Sequence, residues 1–174
     1  MYEKPINAQM IPSIFTLANL VFGFLALVWT LDGKFKIAAG MVLLAVLMDS
    51  LDGKVARKLA VSSDFGKELD SLSDLVSFGV APAILTYRLF LQDLGGWGLV
   101  IAVSFAVCGA IRLARFNVLH ITTHFLGVPI TFAGGFTALL ILFHGTVPWI
   151  VYPVSMVILS GLMVSSIHVP KLGK

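Results

Sequence analysis

Four aspartates stand out in this 174-residue chain. Asp49 and Asp52 are three residues apart, and Asp70 and Asp74 are four apart. On a helix either spacing puts both members of a pair on one face. The segments that carry them are otherwise apolar, so each carboxylate is expensive to bury unless a cation neutralises it. Oxygen-only ligands suit hard divalent ions, Mg²⁺ or Mn²⁺. Four negative charges call for two such ions, and an ion pair ~4 Å apart is the clamp used for displacement at phosphorus. A single intramembrane aspartate is often only a hydrogen-bonding partner. Two pairs at helical spacing are not explained that way.

Residues around the acids fit phosphate chemistry. Gly53 and Ala56 lie beside the first pair and Gly66 precedes the second, small enough to let a backbone or a ligand approach. Arg57 follows Gly53 by one turn and offers a planar fork to a phosphate. Ser62 and Ser63 lie in the linker and offer hydroxyl donors. Lys54 and Lys58 read as anchors at a membrane surface.

The elements that position these residues are membrane helices. Apolar residues make up 58% of the chain and charged residues 12%, with a mean hydropathy of +0.97. Charged residues are far scarcer than in a soluble domain. Six apolar segments are predicted, over about 11–31, 35–59, 67–92, 97–117, 126–144 and 148–167, in one membrane domain covering residues 1–174. Continuous apolar runs require helices rather than barrel strands. Asp32-Gly33, Gly95-Gly96 and His144-Gly145 mark turns. Pro82, Pro129 and Pro153 fall inside predicted spans, where they would kink helices. The second segment is unusual, because its apolar part, Ile37 to Met48, is too short to cross alone. Its helix must run on through Asp49, Asp52 and Arg57.

Of the twelve lysines and arginines, all but Lys34, Lys36 and Arg88 fall on one side if the N-terminus is cytoplasmic. By the positive-inside bias both termini and the acidic cluster face the cytoplasm. The net charge of +3 is therefore a matter of topology, and no nucleic-acid partner is expected. The lone Cys108 is expected to be a small buried hydrophobe.

The pattern Asp49-x2-Asp52-Gly53-x2-Ala56-Arg57-x8-Gly66-x3-Asp70-x3-Asp74 resembles the signature of the CDP-alcohol phosphatidyltransferases, with eight fixed residues over 26 positions. The resemblance implies an all-α integral membrane fold of six spans and a homodimer. It also implies a two-metal site open to the cytoplasmic side of the cell membrane. It further implies that Asp49, Asp52 and Asp70 are metal ligands and that Asp74 is a catalytic base that also touches metal. Gly53, Ala56, Arg57 and Ser63, with the aspartates, match positions on the CDP part of the donor, and Thr16 and Asn19 resemble nucleotide-side residues.

Ser73–Pro82, Arg112–Asn117 and Phe125–Pro129 are similar to segments of the membrane-bound, type II phosphatidylserine synthases. That likeness implies CDP-diacylglycerol as donor and L-serine as acceptor. A serine carboxylate needs a cation in a low-dielectric site, and Arg112 and Arg115 are the candidates, with Asn117 as a further polar contact. A phosphorylated acceptor such as glycerol 3-phosphate or inositol phosphate would call for more positive charge. A cation or proton transporter is the alternative from another class, since intramembrane acids often line ion routes. Here they gather at one face. A purely structural subunit leaves them without a role.

Overall fold

The protein is described by a computed structural model covering residues 6–59, 63–119, 125–165 and 168–169. Among the described residues six helices follow one another as α1 (Ile6–Leu31), α2 (Phe35–Leu59), α3 (Asp64–Leu94), α4 (Gly96–Leu119), α5 (Ile130–Leu142) and α6 (Val151–Val164). Two short strands, β1 (Phe125–Leu126) and β2 (His168–Val169), pair antiparallel. Ser62, His120 and His124 lie outside the described residues, as do both chain termini.

Among the described residues, three helical stretches are long and apolar enough to cross a membrane: Ser13–Leu31, Asp64–Leu94 and Gly96–Val118. The bundle's outside is apolar, with Ile14, Val21, Phe24, Val103, Val107, Val154 and Val157 exposed. In a bilayer such side chains meet lipid, and helices satisfy their own backbone groups. Helix α2 is 25 residues long and, as expected, continues through the acids to Leu59. Helices α5 and α6 are shorter than predicted, at 13 and 14 residues. Extended backbone replaces helix before α5. Pro129 occupies the N-cap position, and Gly127 takes a left-handed φ of +72°. Pro129 therefore starts a helix and does not kink one. Pro153 lies in the first turn of α6, where a missing N–H costs nothing.

Helices α1 and α2 form a hairpin closed at Asp32-Gly33, with Gly33 at φ +72°. Each carries a buried stripe of small and polar residues. Thr16, Asn19, Gly23, Ala26 and Thr30 are buried on α1, and Ala38, Val42, Ala45 and Asp52 on α2. Steps of three and four keep each set on one face, and small side chains let the helices approach closely.

Helix α3 is the centre of the bundle, packed against by α1, α2, α4 and α5. It is not uniform: Leu75–Val80 and Tyr87–Leu91 are wider, π-helical turns. Pro82 cannot donate to the Phe78 carbonyl one turn before it. Gly134 of α5 covers that carbonyl so closely that a Cβ there would lie 2.5 Å from the Phe78 oxygen. At the far end of the bundle the Phe90 and Tyr152 rings stack at 3.7 Å, joining α3 to α6.

Candidate active site

The acids collect where the C-terminal part of α2 meets the start of α3. On α2, Asp49 and Asp52 extend the buried stripe of Ala38, Val42 and Ala45, so that stripe turns them inward. On α3, the Ser63 hydroxyl caps the helix by accepting the Gly66 N–H at 3.0 Å. This fixes the first turn from which Asp70 and Asp74 project.

One carboxylate oxygen from each of Asp49, Asp70 and Asp74 lies within 4.8 Å of the others. Asp74 is only 7% exposed. Asp52 stands beside this trio, and its charge acts on both Asp49 and Asp70. Among the described residues no lysine or arginine pairs with these acids in a salt bridge. Clustered carboxylate oxygens in a half-buried, apolar setting repel one another unless a cation joins them. The residues present therefore fit a hard divalent ion.

Helices α1, α4 and α5 complete the wall. Thr16 donates its hydroxyl to Asp52, and Asn19 donates its amide to Asp74 at 3.0 Å. Thr131, on the first turn of α5, hydrogen-bonds Asp49. It was not among the residues expected from the sequence, since nothing near it in the chain marks that face as inward. Arg112 ends a buried stripe on α4, after Ala102, Phe105 and Gly109, and is only 9% exposed. Its charge attracts that of Asp74, and its Nε has no hydrogen-bond partner among the described residues.

The remaining sequence candidates are distributed around this centre. Arg57 is exposed on the outer turn of α2, its guanidinium alongside Gly53. A Cβ at Gly53 would meet nothing closer than 3.8 Å, so the protein itself leaves open the space above it. Ala56 belongs to the same helix. Arg115 is turned away from the acids, donating to the Val164 carbonyl at the end of α6 at 2.8 Å. Asn117 bridges α4 to α3, donating to Ser71 at 3.1 Å and to Glu68 at 3.3 Å.

The sequence profile of the CDP-alcohol phosphatidyltransferases matches residues 9–163. This chain belongs to that family. Among similar CDP-alcohol phosphatidyltransferases is the CDP-diacylglycerol–serine O-phosphatidyltransferase of Bacillus subtilis strain 168. It is 38% identical, over 94% of this chain and 92% of the relative. The Methanocaldococcus jannaschii protein of the same name is 41% identical, over 90% of this chain and 71% of its own length. An archaetidylserine synthase of Methanothermobacter thermautotrophicus is 39% identical, over 98% of this chain and 74% of its own. The acids and the side chains described around them, from Thr16 to Thr131, fall inside the matched region of this phosphatidyltransferase.

Proposed function

We propose that this membrane phosphatidyltransferase transfers the phosphatidyl group of CDP-diacylglycerol to L-serine and releases CMP. The observation that carries the reading is the convergence of Asp49, Asp70 and Asp74 at one end of the bundle, with the charge of buried Arg112 acting on Asp74. Relatives named for serine transfer, similar over almost the whole chain, support the choice of acceptor.

Asp49, Asp52, Asp70 and Asp74 would hold two divalent ions, Mg²⁺ or Mn²⁺. When bound, these supply positive charge to the donor's pyrophosphate and to the departing phosphate. Gly53, with open space above it, admits the CDP part, which Ala56, Arg57 and Ser63 border and the fork of Arg57 grips. Thr16 and Asn19 line the same side. Arg112 takes the serine carboxylate, and the Nε without a protein partner is the donor left for it. Asn117 stands further out at the acceptor's approach, and Arg115, expected there from the sequence, is engaged by the Val164 carbonyl instead.

Asp74 accepts the proton of the serine hydroxyl as that oxygen attacks the phosphorus bearing diacylglycerol. The new P–O bond forms as the bond to the CMP oxygen breaks, and CMP leaves with the electron pair. Attack in line inverts the phosphorus centre. One buried arginine beside the base suits a single carboxylate. An acceptor carrying a phosphate near −2 would call for more cations there.

The six helices would cross the cytoplasmic membrane as one domain over residues 1–174, with both termini and the site on the cytoplasmic side. Helices α5 and α6 would span with the help of the extended segments that flank them. A homodimer is the assembly we expect. The decisive assay uses detergent-purified protein, CDP-diacylglycerol and Mn²⁺, with CMP release measured for L-serine, glycerol 3-phosphate and inositol phosphate in turn. CMP release that is indifferent to serine would overturn the proposal.

A further inference from the structure

Helix α1 contributes no carboxylate, yet it touches the acidic centre twice. Thr16 holds Asp52, and one turn further on Asn19 donates Nδ2 to Asp74 Oδ1 at 3.0 Å. Asn19 is completely buried. Its backbone carbonyl accepts the hydroxyl of Ser77 at 3.0 Å, so the side chain and main chain of one residue grip both sides of the same turn of α3. Another turn on, a Cβ at Gly23 would lie 2.8 Å from the Ser77 Cα. Asn19 is thus locked in register with the stretch that follows Asp74, where α3 opens into its π-helical turn.

The other half of the Asn19 amide is informative. Its Oδ1 is buried and has no hydrogen-bond partner among the described residues. Such an unsatisfied acceptor costs about 1–3 kcal/mol, which an apolar side chain of equal size would avoid. A residue serving only to pack would be better without the amide. An ionised carboxylate only accepts, so the Nδ2 end must face Asp74.

We infer that Asn19 is a positioning residue for Asp74. By occupying Oδ1 it stops the carboxyl from rotating to exchange its oxygens, and it leaves Oδ2 to receive the acceptor's proton. This rests on Asp74 being the base, and it differs from the nucleotide contact that the family resemblance implies for Asn19. The two roles separate in kinetics. A nucleotide contact is lost from binding, whereas a positioning contact is lost from turnover.

Asn19→Leu removes the donor at similar volume. The expected result is a kcat lower by about 10–100-fold, the usual cost of a lost outer contact. The Kd for CDP, measured with Mn²⁺ present, should change less than about twofold. Should the leucine variant fail to give monodisperse protein, the smaller Asn19→Ala gives the same readout without the donor. A wild-type kcat, or a CDP Kd weakened as much as kcat/KM, overturns the inference. Asp74→Asn run in parallel separates the premises. If it keeps near wild-type turnover, the base assignment fails and Asn19 falls with it. If it is inactive while Asn19→Leu turns over normally, only the positioning role is lost.

Discussion

Asp74 takes a hydrogen bond from an amide on α1 and lies in the field of a guanidinium on α4, which is how one carboxylate can be given a task its neighbours do not share. The Asn variant of Asp74 keeps the size but takes no proton. We expect kcat to fall by about 10²–10⁴-fold, the contribution of a positioned base, with monodisperse protein retained. Turnover near the wild-type rate would exclude Asp74 as the base. The two arginines should part company. Arg112 is buried with a free donor, so Arg112→Ala should raise the serine KM at least about tenfold, the loss of one charge-assisted contact. Arg115 is spent on the Val164 carbonyl, so Arg115→Ala should leave the serine KM within about twofold and act on stability instead, by about 1 kcal/mol. Serine titrations of both purified variants check this, and equal KM shifts in the two would undo the distinction.

At the scale of elements, the site depends on close helix contacts that only glycine permits. Gly134 meets the Phe78 carbonyl, and a larger residue would push α5 away from α3. Because α5 also carries Thr131 to Asp49, Gly134→Val should reduce activity along with the melting temperature, although it touches no substrate. Activity and melting curves on one preparation test this, and loss of neither would remove α5 from the positioning frame. Much of this was legible beforehand. The helix through Asp49 to Arg57 followed from the shortage of apolar length, and the four acids followed from their spacing. Arg112 could have been separated from Arg115 by its place in the Ala102, Phe105, Gly109 stripe. The π-helical turns at Leu75–Val80 and Tyr87–Leu91 could not be foreseen, because no spacing in the chain sets them apart from the α-helix around them. Nor could the shortened α5, where Gly127 and Pro129 hold the chain extended against the end of α6. Residues 126–129 look apolar enough to be helix, and the backbone geometry overrides that.

For the whole molecule, the acidic cluster makes folding and metal binding one problem. With no ion present, Asp49, Asp52, Asp70 and Asp74 repel across the junction of α2 and α3, the junction on which α1, α4 and α5 also close. Ions that bind the folded bundle and not the separated helices must therefore stabilise it. At a free concentration of ~100 times Kd, one site adds about 2.7 kcal/mol. Mn²⁺ should then raise the melting temperature in detergent by about 5 °C or more, and a chelator should reverse the shift. Asp70→Asn gives the sharper test, because its two effects have opposite signs. Removing one negative charge relieves repulsion in the chelated protein, so its melting temperature should equal or exceed that of chelated wild type. The same change deletes a ligand, so the rise on adding Mn²⁺ should shrink or vanish, and activity with it. If Asp70→Asn instead lowered the chelated melting temperature and kept the full Mn²⁺ response, the carboxylate would be a packing group. The junction would then owe nothing to a metal.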